Sequence, residues 1–215
     1  MKIKATTMKT KARITLFGLV MAIALCYANF ASAESNFATG GAAGSGGAGA
    51  AVNLDFQIVI PQFIYFQVGT AGAAIDQITF TPTAAEVANA TAGIAGAGGD
   101  LGTGIVTVSL VSNAGGVDIT ESNNSLGAGL GDGAGNFISY AQINTATNDG
   151  NLPAPVLSDG GGTSVSIPVT VGTITNRQAQ WTYTYDNPAT PPAAGTYGTG
   201  GAATGGRVTY TAAIP

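Results

Sequence analysis

Residues 52–68 read VNLDFQIVIPQFIYFQV, and the fold class turns on this stretch. From Val52 to Ile60 the chain alternates. Val52, Leu54, Phe56, Ile58 and Ile60 fall on one side, with Asn53, Asp55 and Gln57 on the other. A period of two is the pattern of a β-strand with one buried face. Pro61 lacks the N–H that a ladder needs, so it predicts an edge, a bulge or a switch between sheets. Beyond it Ile64, Phe66 and Val68 keep the phase, Phe63 and Tyr65 load the opposite face, and Gly69 ends the run.

Downstream, strands are expected near Ile75–Phe80, Ile105–Val111, Val117–Thr120, Phe137–Ile143, Val165–Val171, Gln178–Tyr185 and Arg207–Ile214. Asn148-Asp149-Gly150, Ser158-Asp159-Gly160 and Asp186-Asn187-Pro188 punctuate them as turns. Many short strands, Gly-rich turns and no long segment of period 3.6 predict an all-β sandwich or barrel. The one helical candidate is Thr83–Ala92, where Thr83 and Glu86 have the spacing of a capping box. The connections at 93–104, 121–135 and 186–206 are long for a compact domain.

The N-terminal segment carries an address. Lys2, Lys4, Lys9, Lys11 and Arg13 precede an apolar run from Ile14 to Ala28, and Ala31-Ser32-Ala33 stands before Glu34. That order predicts a secretory signal peptide over 1–33, cut after Ala33. Its apolar run of about 15 residues is shorter than the roughly 20 that a membrane-spanning helix needs. The expected product therefore has no membrane span and is secreted or extracellular. Residues 34–51 are Gly/Ala-rich, with too little side chain to offset backbone entropy, and are expected to form a flexible leader before a single domain over 52–215.

Processing would leave Arg177 and Arg207 as the basic residues against eleven carboxylates, a formal charge of −9. Such a chain repels phosphate backbones and anionic headgroups, which argues against nucleic acid as a partner. Residues 34–215 contain no His, Cys or Lys. Imidazole- and thiolate-based catalysis, Schiff-base lysines and the usual zinc ligands are thereby excluded, and no cofactor is expected. Scattered carboxylates without a motif do not define a hydrolase, so the expectation is a protein without enzymatic activity. Gly131-Asp132-Gly133-Ala134-Gly135-Asn136 has the look of a calcium loop, but one Asp and one Asn supply few of the oxygens calcium requires; a plain turn is expected, with Asp118 and Glu121 nearby leaving calcium as the alternative.

Two aromatic and apolar rows are candidate sites. Trp181, Tyr183 and Tyr185 line one face of a single strand, either as a stacking platform for sugar rings or as a stripe of the core. Val52, Leu54, Phe56, Ile58 and Ile60, behind a Gly/Ala leader, have the pattern of a strand that pairs with another chain, filling pockets with alternate side chains. The other possibility is an ordinary first strand of its own sandwich.

The chain resembles the exported fimbrial (pilus) subunits assembled by chaperone–usher secretion. The resemblance rests on the signal peptide, the alternating strand Val52–Ile60, the segment Pro191-Pro192-Ala193-Ala194-Gly195-Thr196-Tyr197, and the ending Arg207-Val208-Thr209-Tyr210-Thr211-Ala212-Ala213-Ile214-Pro215. It departs from that family in lacking a disulfide near the mature start and in having Gly/Ala sequence where the donor extension normally stands. The resemblance implies an immunoglobulin-like antiparallel β-sandwich with long Gly/Ala-rich loops, serving as a self-assembling structural protein in cell adhesion. It implies other copies or related subunits as partners, with a periplasmic chaperone and outer-membrane assembly machinery. Under it, Val52–Ile60 is the assembly strand and Val208, Tyr210, Ala212 and Ile214 border the accepting groove. The alternative function is a secreted carbohydrate- or surface-binding module using the Trp181 row.

Overall fold

The computed structural model describes Asn36 and residues 50–125, 127–200 and 204–215. The expected signal peptide and most of the expected leader lie outside the described residues. The chain divides into two units, Met1–Val59 and Ile60–Pro215, and the second carries the sandwich.

Its first sheet contains β1 (Ile64–Val68), β5 (Ile105–Ser112) and β11 (Thr175–Tyr185), all antiparallel neighbours in that order. At its C-terminal end β11 is flanked by β3 (Ile94–Ala95) on the side of β5 and by β9 (Ile143–Thr147) on the other. Register is continuous across the centre: Phe66 lies opposite Leu110, and Leu110 opposite Arg177. The second sheet has the order β10 (Ser164–Ile167), β6 (Val117–Asn123), β12 (Val208–Ala213). Two small ribbons, β2 (Ile78–Thr79) with β4 (Ala97–Gly98) and β7 (Leu130–Gly131) with β8 (Phe137–Ile138), complete the strands.

Alternation decides which faces meet. In β5 Val106, Val108 and Leu110 are buried while Ile105, Thr107, Ser109 and Val111 are half-exposed. Val117 and Ile119 of β6 and Ile167 of β10 join them, with Ala179, Trp181 and Tyr183 of β11, in one core cluster. The two sheets thus pack face to face as an all-β sandwich. Leu152, Ala154 and Leu157, on the strandless stretch after β9, cover part of the same core. The Trp181 indole N–H donates to the Leu152 carbonyl at 2.9 Å, which satisfies the polar end of the largest buried ring.

Several sequence expectations shift in detail. The helix α1 is shorter than Thr83–Ala92, running over Ala84–Ala88, but the capping box is present. Thr83 Oγ1 accepts from the Glu86 N–H, and the Glu86 carboxylate accepts from the Thr83 N–H at 2.6 Å. That contact holds the Glu86 carboxyl below the ordinary carboxylate range, chiefly through the Thr83 backbone N–H. The expected strand Phe137–Ile143 is broken after Ile138. There the Asp159 carboxylate takes the Tyr140 N–H at 2.6 Å and the Ser139 hydroxyl at 2.8 Å, turning the chain into a 3-10 helix over Tyr140–Gln142. Asp186-Asn187-Pro188 is not a turn but a tie. Asp186 accepts from Gly93 N–H and Asn144, and buried Asn187 donates its side-chain amide to the Thr91 carbonyl.

The expected start of the sandwich at Val52 also moves. The first strand of the sandwich is Ile64–Val68, and Val52–Ile60 belongs to no helix or strand. Pro61 marks the boundary: its carbonyl accepts from the Asn113 side chain at 2.8 Å, while Asn113 Oδ1 accepts from the Phe63 N–H at 2.9 Å. This clamp fixes the entry into β1.

Candidate functional site

The five side chains of the expected assembly strand are all exposed: Val52 60%, Leu54 76%, Phe56 85%, Ile58 84% and Ile60 73%. Val59, on the other phase, is also exposed. Burying such a side chain contributes roughly 1.5–3 kcal/mol. A contiguous row of them open to water is the kind of apolar surface that marks an interaction site.

Within the sandwich, the two sheets end on the same margin. β1 is the last strand of the first sheet and β12 the last of the second, and they approach one another there. Each has an edge that pairs with no strand among the described residues. Their inward side chains are Ile64, Phe66 and Val68 from β1 and Val208, Tyr210 and Ala212 from β12. All are only partly buried, although all pack on the core cluster. By contrast Val108, Leu110 and Ile119 on the central strands are fully buried. The core is therefore less covered along this margin than at its centre. Of the expected groove residues, Val208, Tyr210 and Ala212 share the inward face of β12, while Ile214 lies just beyond the strand and is exposed.

Tyr210 anchors the margin. Its ring meets Trp181 edge-on at a centroid distance of 5.2 Å, and its hydroxyl lies 2.9 Å from that of Tyr183. Both phenols are held in their protonated form: burial pushes Tyr183 up to about 12, and burial with the nearby Tyr183 raises Tyr210 well above the ordinary range. Tyr140 also rises to about 12, first through burial and then through the charges of Glu121 and Asp159.

The Trp181, Tyr183, Tyr185 row is a core stripe. Trp181 is 0% exposed, and Tyr183 and Tyr185 are 6%. No ring face is open for a sugar. Exposed aromatic residues of the sandwich unit include Phe63, Tyr65 and Phe137, the last in a cleft of about 360 Å³ shared with Tyr197, Gln142, Pro188, Pro191 and Pro192. The Asp132 loop closes on itself as a turn. The Asp132 carboxylate accepts from the Ala134 and Asn136 N–H groups and from the Asn136 amide, which together keep it below the ordinary range, the Asn136 amide foremost. Its oxygens are engaged by donors of its own loop, and no cluster of three metal-ligating side chains occurs among the described residues. Among those residues, too, no helix is long and apolar enough to cross a membrane.

The burial of one residue, read from sequence only as a possible oxygen donor near the Asp132 loop, was not foreseen. Glu121 stands on the inward phase of β6, after Val117 and Ile119, and is 0% exposed. The phase of β6 would have found it, had the strand been extended past Thr120. Compared with family models, with curated proteins and with solved structures, the chain matches none.

Proposed function

We propose that the chain is a non-enzymatic, exported structural subunit of the cell surface that assembles by strand addition. In this reading residues 52–60 of one copy lie along the margin between β1 and β12 of the next, with Leu54, Phe56 and Ile58 directed at the half-covered side chains there. The fold is read as immunoglobulin-like and the product as a fimbria-like polymer. A secretion chaperone and outer-membrane assembly machinery would deliver the subunit.

The observation that carries this reading is the pairing of two incomplete parts within one chain. An alternating apolar row is exposed and belongs to no sheet, and a sandwich margin leaves two strand edges open above partly buried core residues. Strand addition satisfies both at once, because main-chain hydrogen bonds supply affinity and alternate side chains supply fit. The surface charge is low enough to let copies approach, with 8% charged residues over the whole sequence.

The test is light scattering and negative-stain microscopy on the secreted wild-type chain and on Phe56→Asp. Wild type is expected to form filaments or a ladder of oligomers, and Phe56→Asp a folded monomer with unchanged circular dichroism. Monomeric wild type at high concentration, or equal assembly by both chains, would sink strand addition through 52–60.

A further inference from the structure

The unexplained group of this fold is the carboxyl of Glu121. It is fully buried on β6, directly opposite Tyr210 on the edge strand β12. Oε1 accepts from the Asn123 amide at 2.9 Å, whereas Oε2 is buried without a hydrogen-bond partner. The titratable groups around it are acids and phenols, while the Asn123 amide and the Thr163 backbone N–H favour its charged form less than burial opposes it. Tyr210 faces it from β12, with Tyr183 of β11 behind at hydroxyl–hydroxyl distance, and Tyr140 approaches from the 3-10 helix. Asp159, on the turn after the 152–157 stretch, sits beyond Tyr140, and Asp118 points from the opposite face of β6 to Ser166. Neither arginine of the sandwich compensates it: Arg177 donates to the Pro168 and Val169 carbonyls, and Arg207 is exposed.

A buried carboxylate with one orphan oxygen and no cation is far more costly than the same group carrying its proton. We infer that Glu121 is a proton-dependent latch on β12: protonated, it lets the edge strand close over the core, and ionised, it loosens the pairing of β12 with β6. Tyr210 is the element through which the charge is felt, because its ring and hydroxyl tie β12 to Trp181 and Tyr183. The Asn123 amide that bonds Oε1 also donates to the Ser158 carbonyl, so the same loosening reaches the turn that holds Asp159. Burial raises the Glu121 carboxyl above its ordinary range, in agreement with this geometry. β12 borders the margin assigned above to assembly, so alkalinity would also act on the acceptor; that consequence rests on the strand-addition reading, while the latch itself does not.

Glu34, Glu86 and Glu121 are the glutamates of this sequence, so carbon-13 labelling of glutamate gives a carboxyl titration with few signals. The measurement is made on the Phe56→Asp chain, altered at an exposed position outside the sandwich, so that no donor from another copy covers β12. Glu121 is expected to titrate last, and Glu86 below the ordinary range. Hydrogen exchange of β12, corrected for intrinsic rate and referenced to β5, should lose protection by about tenfold per pH unit between the ordinary carboxylate range and the Glu121 titration, and level off above it. Adding Glu121→Gln should leave β12 protection independent of pH. A Glu121 signal that titrates in the ordinary carboxylate range overturns the latch even if the Gln variant fails to fold. So does β12 protection that does not change with pH in the parent, or that changes equally in the Gln variant.

Discussion

At the scale of single residues, burial decides roles that side-chain type leaves open. Trp181 is the one tryptophan of the sequence, so its fluorescence reports one site. Fully buried and bonded to the Leu152 carbonyl, it should emit at short wavelength, resist acrylamide quenching and ignore added saccharides. Trp181→Ala should cost about 3–5 kcal/mol in a urea melt, the range for deleting a large buried ring. Gly205 is fixed by backbone: φ is 63°, and an added Cβ would lie 2.7 Å from Ser125 Cα and 2.8 Å from the Gly129 carbonyl oxygen. Its carbonyl also accepts the buried Tyr140 hydroxyl. Gly205→Ala should therefore destabilise by about 2 kcal/mol or more, read as a lower melting midpoint. For Glu121 the sign of the pH effect follows from its raised folded value. Its contribution is fully present below the unfolded carboxylate range and is lost as pH rises through the folded value. Melting temperature should accordingly decline over that window in wild type, and Glu121→Gln should remove that part of the decline.

Elements show how far a sequence pattern reaches. The alternation in Ile105–Val111 and Gln178–Tyr185 identified both central strands, each of which is paired along both edges and packs one face into the core. The Thr83–Glu86 spacing likewise identified a real cap, and Thr83→Ala should cost about 1 kcal/mol locally, seen as faster exchange of the 84–88 amides. The same period-two pattern in Val52–Ile60 predicted a buried strand and found exposed side chains. Periodicity specifies which side chains share a face, not which sheet receives them. β9 was missed because Ile143–Thr147 has a single large apolar residue; its place comes from pairing with Trp181–Tyr185, a tertiary fact. The aromatic row was legible as a row but not as platform or core, since both use the same spacing. The break in Phe137–Ile143 depends on Asp159, too distant in sequence to be read locally.

At the scale of the whole molecule, the proposed assembly joins the apolar row of one copy to the sandwich margin of the next. Deleting β12 by stopping the chain at Gly206 should abolish folding as well as assembly, because Tyr210 and Val208 pack on the core and Glu121 lies opposite β12. Mutation at Phe56 should abolish assembly alone. The most direct measurement is hydrogen exchange by mass spectrometry on assembled wild type against the monomeric Phe56→Asp chain. The account predicts that assembly protects two segments together, residues 52–60 and the outer edge of β12, while β5 and β11 stay as they were. An assembled chain in which 52–60 exchanges as fast as in the monomer would contradict it.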